Sequence, residues 1–197
     1  MKSAIARRAA ACAFGIALAS ALPGYGGAQT AGLATDCSLV DAAEAGRIIG
    51  FPLQDADDSS RAGGICFFPS RDVSDEGALS YAVVTASQLP ARRAFFRVIA
   101  RRCAGVDSQA PNAPLCASYA RLAEAGDLDA YFAAQRTVPD ASPLPALGSA
   151  AVANATAVYV RVPGAVIEAL VRRGGDLDVV RSSELAALVA KRLRDRP

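Results

Sequence analysis

The chain has 197 residues, 52% of them hydrophobic and 20% charged, with 21 Lys plus Arg against 19 Asp plus Glu and neither His nor Trp. Such a length and apolar fraction support one globular domain with a sizeable core and exclude a disordered polyelectrolyte. The lack of His removes the commonest general base and zinc ligand, and with them Ser-His-Asp and Cys-His catalysis within the chain.

Residues 1–28 read as a secretory signal. Lys2, Arg7 and Arg8 form a positive n-region, and Ala9 to Leu22 is an apolar run of 14 residues. That run is shorter than the roughly 20 residues of a permanent transmembrane helix. Small residues at Gly26, Gly27 and Ala28 favour cleavage after Ala28, with cleavage after Ala21 as the alternative. Cys12 is discarded with the signal. Its removal takes away three basic groups and no acidic one, so residues 29–197 carry 18 basic and 19 acidic side chains. The expected product is a single exported domain, periplasmic or secreted, with no stable membrane span. It lacks the basic excess that nucleic-acid binding needs. Lys occurs only at Lys2 and Lys191, so a Ser-Lys dyad or Schiff-base lysine would rest on Lys191, near the C-terminus.

Four cysteines remain: Cys37, Cys66, Cys103 and Cys116. In an exported chain they read as two disulfides, for which three connectivities exist. Locality favours Cys37 with Cys66 and Cys103 with Cys116, each closed loop contributing about 3 kcal/mol in the chain-entropy model. No CxxC spacing and no His supports a metal site, and no cofactor is expected.

In chain order, Ser38 caps a helix from Leu39 to Ile49 that stops at Gly50. A short strand, Ile65 to Phe68, ends at Pro69. A second strand runs from Leu79 to Ala86. Pro90 opens a helix whose Phe95, Phe96, Val98 and Ile99 recur at helical spacing up to Cys103. Ala104 to Leu115 is a loop, and Cys116 to Arg136 is one helix interrupted near Gly126 and Asp127, with Leu122, Leu128, Tyr131 and Phe132 buried. Val138 to Pro145 is irregular. Leu147 to Val152 forms a short turn of helix. Strands Ala157 to Val162 and Ala165 to Arg172 form a hairpin across a Pro163-Gly164 type II turn, with Ile167, Ala169 and Val171 inward. Ser182 or Ser183 caps a final helix with Leu185, Leu188, Val189 and Leu193 on its apolar face. The fold class is therefore α+β: an antiparallel sheet flanked by helices, in two halves of similar helix, strand, strand, helix pattern. The halves share that pattern and not residue identities.

Cys37-Ser38-Leu39 opening a helix that ends at Ile49-Gly50, Cys66-Phe67-Phe68 on a strand, and Leu147-Gly148 with Ala150 before a hairpin and terminal helix together resemble a known group. These are small exported bacterial proteins, many of them actinobacterial lipoproteins, with a PsbP-like α+β sandwich. The resemblance covers about residues 37 to 194. It implies a Cys37–Cys66 bridge and an extracytoplasmic binding, sensing or accessory role. It transfers no catalytic residue, and the lipidation cysteine of that group is missing.

Three features carry candidate chemistry. Arg93, Arg97 and Arg101 follow i, i+4, i+8 spacing beside Arg92 and Arg102, a stripe of guanidinium forks suited to a phosphate or carboxylate; the competing reading is a solvated helix face. Asp55-Ala56-Asp57-Asp58-Ser59-Ser60 begins like a calcium loop, but Ser60 and Cys66 stand where Gly and Glu are required. Asp127 with Asp129, and Asp176 with Asp178, are carboxylate pairs that flank turns and read as helix-start residues. The functional expectation is a non-enzymatic extracytoplasmic module that binds an envelope or extracellular ligand or protein. The alternatives are an inhibitor or effector presenting Val138 to Pro145, and a carboxylate-dependent hydrolase.

Overall fold

The computed structural model describes residues 37–56, 64–71 and 77–196. The expected signal segment 1–28, the greater part of the calcium-like loop (57–60) and the acidic turn from Asp72 lie outside them. Among the described residues seven strands form one antiparallel sheet: β1 (Cys66–Phe68), β2 (Gly77–Thr85), β3 (Ser142–Pro143), β4 (Ala151–Ala153), β5 (Val158–Val162), β6 (Ala165–Arg173) and β7 (Asp176–Leu177). The spatial order is β1-β2-β6-β5-β4-β3, with β7 folding back on the end of β6. At the centre, all nine residues of β2 pair with β6, from Gly77 opposite Arg173 to Thr85 opposite Ala165. The two halves of the sequence therefore share one sheet and are not separate units.

Among the described residues five α-helices cover this sheet on both faces: α1 (Ala42–Ile49), α2 (Leu89–Arg102), α3 (Ala113–Glu124), α4 (Leu128–Gln135) and α5 (Val179–Arg194). Helices α1 and α5 close over Leu79, Tyr81, Val158, Val160, Ile167, Ala169 and Val171. The excursion between β2 and β3 supplies α2, α3 and α4, which pack on Val84, Val152, Tyr159 and Val166. Alternating residues of β5 and β6 thus enter two different interiors, as the period of two along a strand requires. The α+β reading holds, as do the buried positions Leu122, Leu128, Tyr131 and Phe132.

Disulfides join Cys37 to Cys66 and Cys103 to Cys116. The first ties the segment before α1 to the edge strand; the second links the end of α2 to α3. Among the described residues no helix is long and apolar enough to cross a membrane.

Several boundaries differ from the sequence expectation, each for a local reason. Residues Cys37–Leu39 form a 3-10 turn, and α1 is started by Asp41, whose carboxylate accepts from the Glu44 amide at 2.7 Å in a capping box that Glu44 completes. Ser38 was the nearer capping residue to the apolar run, but the box needs a Glu three residues on. Gly50 closes α1 at φ 96°, which a residue with a Cβ adopts only under strain. Asp178, not Ser182 or Ser183, caps α5. Ser182 is buried instead, and its hydroxyl accepts from the Val171 amide at 2.9 Å where the β6 ladder ends. The interruption expected near Gly126 and Asp127 in the helix 116–136 is a full break between α3 and α4, because Asp127 starts α4 afresh by accepting from the Ala130 amide at 2.7 Å. Leu147 to Val152 is not a helical turn: a 3-10 turn at Pro145–Leu147 leads into β4, whose backbone pairs with β5. Pairing with a neighbouring strand overrides the weak local preference of that Ala-rich stretch.

Candidate functional site

Pro90 starts α2 and Leu89 and Phe96 anchor it against the sheet. At 100° per residue, Arg92 lies on the flank of that buried stripe and points down to β6. Its Nη2 donates to Glu168 Oε2 at 2.8 Å, and the two side chains are 13% and 16% exposed. Tyr131 of α4 donates its hydroxyl to the other carboxylate oxygen, Oε1. Tyr159, on the same face of β5, exchanges a hydrogen bond with Thr156 Oγ1 at 2.9 Å. One guanidinium, one carboxylate and two phenols therefore meet under the helices.

Burial by itself lowers the Arg92 guanidinium, but attraction to Glu168, Tyr131 and Tyr159 outweighs it, so Arg92 stays charged above its usual range. Burial also pushes both phenols up, Tyr131 well above the ordinary value, and the neighbouring Glu168 carboxylate pushes them further. At neutral pH the cluster holds one positive charge and two protonated phenols around the carboxylate that pairs with Arg92.

A cavity of about 300 Å³ opens beside this cluster, where β1 has not yet begun to pair with β2. Gly64 and Ile65 lie on one side, the β2 residues Val83 and Val84 at the back, and Gln88, Ala91, Arg92 and Phe95 of the α2 region on the other. Phe95 is 54% exposed and forms the outer lip. Gln88 is 7% exposed, and its Oε1 accepts from the Thr85 amide at 2.9 Å and the Thr85 hydroxyl at 3.3 Å. A backbone N–H can only donate, so this contact fixes the oxygen toward Thr85 and leaves Gln88 Nε2 with no hydrogen-bond partner among the described residues. Arg92 places one of its five N–H donors on Glu168, and the others have no acceptor among the described residues. The cavity is mostly apolar, and Gln88 and Arg92 are the lining residues whose side chains carry N–H donors.

The stripe Arg93, Arg97 and Arg101 is elsewhere on α2. It is rotated about 100° from Arg92 and does not border the cavity. Arg93 is half-buried and its Nε donates to the Ala123 carbonyl at 3.3 Å, in the last turn of α3, where a cation also complements the helix dipole. Arg97 and Arg101 are exposed. The carboxylate pairs are spent locally: Asp127 and Asp178 cap helices, Asp129 accepts from Arg161 Nε at 2.7 Å, and Asp176 is in β7. Val138 to Pro145 runs along the sheet edge: Val138 is buried, Ser142 and Pro143 pair with β4, and the Leu144 amide donates to the Ala151 carbonyl at 3.1 Å. Among the described residues no group of three or more Cys, Asp or Glu is placed to hold a metal ion.

Gln88 and Glu168 are absent from the sequence-based candidates, and Arg92 entered them only as a flank of the arginine stripe. Glu168 carried the one available signal, a lone carboxylate between Ile167 and Ala169 in an otherwise apolar strand. With Ile167, Ala169 and Val171 facing the core, Glu168 falls on the opposite face, which solvent would occupy if helices covered only one side. Here that face is a second interior.

The geometry defines an antiparallel α+β sandwich with a small lateral cavity beside a buried ion pair. No family model, curated protein or solved structure was found to match the chain.

Proposed function

We propose that this protein is a non-enzymatic extracytoplasmic module that binds a small molecule in the cavity between β2 and α2. The observation that carries the reading is the pair of idle donors, Gln88 Nε2 and the Arg92 guanidinium, in the wall of an otherwise apolar pocket. Neither donor is sealed from solvent, so a ligand that supplies acceptors takes the place of water at them while its hydrocarbon covers the apolar walls. The volume stands at the lower end of ligand pockets, about 300–1,000 Å³. Among the described residues Arg92 is the one ionisable side chain lining it, and its pairing with Glu168 keeps it protonated, a state suited to holding a ligand and not to moving protons. Two disulfides support an oxidising compartment, in keeping with the leader-like residues 1–28 and with the role that the PsbP-like resemblance implies.

The test is a thermal-shift survey of small apolar compounds carrying one polar group, run in parallel on the oxidised protein and on Ala91→Phe. Ala91 is half-buried on the cavity wall, and a phenyl ring there fills the space. A ligand of this cavity raises Tm of the parent and not of the variant, by about 2.7 kcal/mol of stabilisation at a concentration a hundred times its Kd. Mass spectrometry of the same mixtures checks for turnover. Consumption of a bound compound would replace binding by catalysis, and equal shifts in both proteins would move the site away from this cavity.

A further inference from the structure

Resting on that reading, we infer that the ligand is electrically neutral: an apolar body ending in a carbonyl-type oxygen, such as a primary or secondary amide, and not the anion that an arginine in a pocket first suggests. The argument is one of charge balance. The positive charge of Arg92 is matched by Glu168 at 2.8 Å, and that carboxylate is held in place by the Tyr131 hydroxyl. A ligand carboxylate at the free side of the guanidinium would put two negative groups around one cation, in a place where both protein side chains are largely out of water. Repulsion between like charges grows as the effective dielectric falls, so the second anion is the disfavoured partner. A neutral oxygen takes the same N–H donors without adding charge. Gln88 Nε2, itself neutral, provides a further donor to it or to a second acceptor atom. Ile65, Val83, Val84, Ala91 and Phe95 then contact hydrocarbon, and Phe95 at the lip can rotate over a chain that leaves the cavity.

A peptide strand added to the sheet is the rival occupant of this place, since β2 extends beyond its pairing with β1, which stops at Tyr81 opposite Cys66. The side chain of Gln88 opposes it. Its oxygen already takes the Thr85 amide at 2.9 Å, so the end of the β2 edge offers one donor fewer to an incoming strand.

Hexanamide and hexanoate separate the cases, because their tails are identical and their head groups nearly isosteric. Each is titrated at pH 7 into the oxidised, isotope-labelled protein, to about 10 mM, with backbone amide shifts of Gly64, Ile65, Val83 and Gln88 and the Arg92 Nε–H as readout. Hexanamide is expected to shift these signals with an affinity about tenfold or more above that of hexanoate, and Ala91→Phe is expected to abolish the response. Hexanoate binding as tightly as the amide would overturn the neutral-ligand inference while leaving the cavity a binding site. Shifts by neither compound, or amide shifts that persist in Ala91→Phe, would overturn both the inference and the reading beneath it.

Discussion

The two faces of the sheet are filled by different chemistry. Under α1 and α5 the interior is mainly aliphatic, with Leu79, Ile167, Ala169, Val171, Leu185 and Val189 buried to within 1% of full exclusion beside the rings of Phe68 and Tyr81, and Ser182 as its buried hydroxyl. Under α2, α3 and α4 the interior includes Glu168, Tyr131, Tyr159, Ser118, Asn154 and Gln135, and every one of these polar groups is wired to a neighbour except Gln135 Nε2. Asn154 shows the density of that wiring: its Nδ2 donates to the Gln135 carbonyl at 3.0 Å while its Oδ1 accepts from Thr156 Oγ1 at 2.7 Å. An aliphatic face is stabilised in proportion to the area it buries and tolerates volume-conserving exchanges, whereas a polar interior is stable only while each donor and acceptor keeps its partner. The cavity and its idle donors lie on the polar side. On the proposed reading, the first face supplies stability and the second the positions at which a ligand would be held.

That contrast can be broken most directly by equal intrusions on the two sides. Ile167→Ala on the aliphatic face is expected to cost about 4 kcal/mol by lost burial and the cavity left behind. Its neighbour in sequence on the other face, Glu168→Gln, keeps the shape and is expected to cost about 3 kcal/mol, because it leaves the Arg92 charge without its counter-ion. The two costs differ in kind: pairing Glu168→Leu with Arg92→Met should return stability to within about 1 kcal/mol of the parent, while no second change on an aliphatic face restores a lost methyl cluster so simply. Urea unfolding of the four proteins decides it, and a double variant as weak as Glu168→Gln alone would mean that the ion pair is needed for packing.

A subtler probe is pH. The phenols of Tyr131 and Tyr159 titrate above the ordinary value of 10 in the folded protein. Above pH 10 the unfolded chain has therefore released protons that the native state still holds, and stability must fall as pH rises. The contribution is complete below the unfolded value and is lost on the alkaline side. Tyr159→Phe removes one of these groups and should flatten the decline measured by urea unfolding between about pH 9 and 11. An unchanged slope would show that Tyr159 ionises freely and that the polar face is open to water.

The smallest effects concern the arginine stripe. Arg97→Gln and Arg101→Gln, at exposed positions, should each change stability by less than about 0.5 kcal/mol. Arg93→Gln should cost about 1 kcal/mol, since it leaves the Ala123 carbonyl at the end of α3 without its cationic donor. Thermal melts of the three single variants order them. Equal effects would return the stripe to a common role and the anion reading with it.

Sequence alone was sufficient wherever one local rule decided the matter. Period-two alternation located β5 and β6, helical spacing located α2 and α5, and the cysteine pattern carried a preferred pairing that the fold adopts. It failed where two local rules competed, as at Asp41 against Ser38 for the start of α1, or Asp178 against Ser182 for α5. The winner in each case is the residue whose carboxylate reaches an amide hydrogen of the first turn.

What the chain could not disclose by itself is that residues 89–135 fold back over the second face of the sheet. That contact joins residues 76 positions apart, Arg92 and Glu168, and no periodicity within either segment encodes it. Composition and spacing determine which side of an element is apolar; only the packing of whole elements decides whether the opposite side meets water or another layer. Here it meets another layer, and for that reason alone an arginine and a glutamate that read as surface residues become a largely buried ion pair, with the arginine in the wall of a cavity.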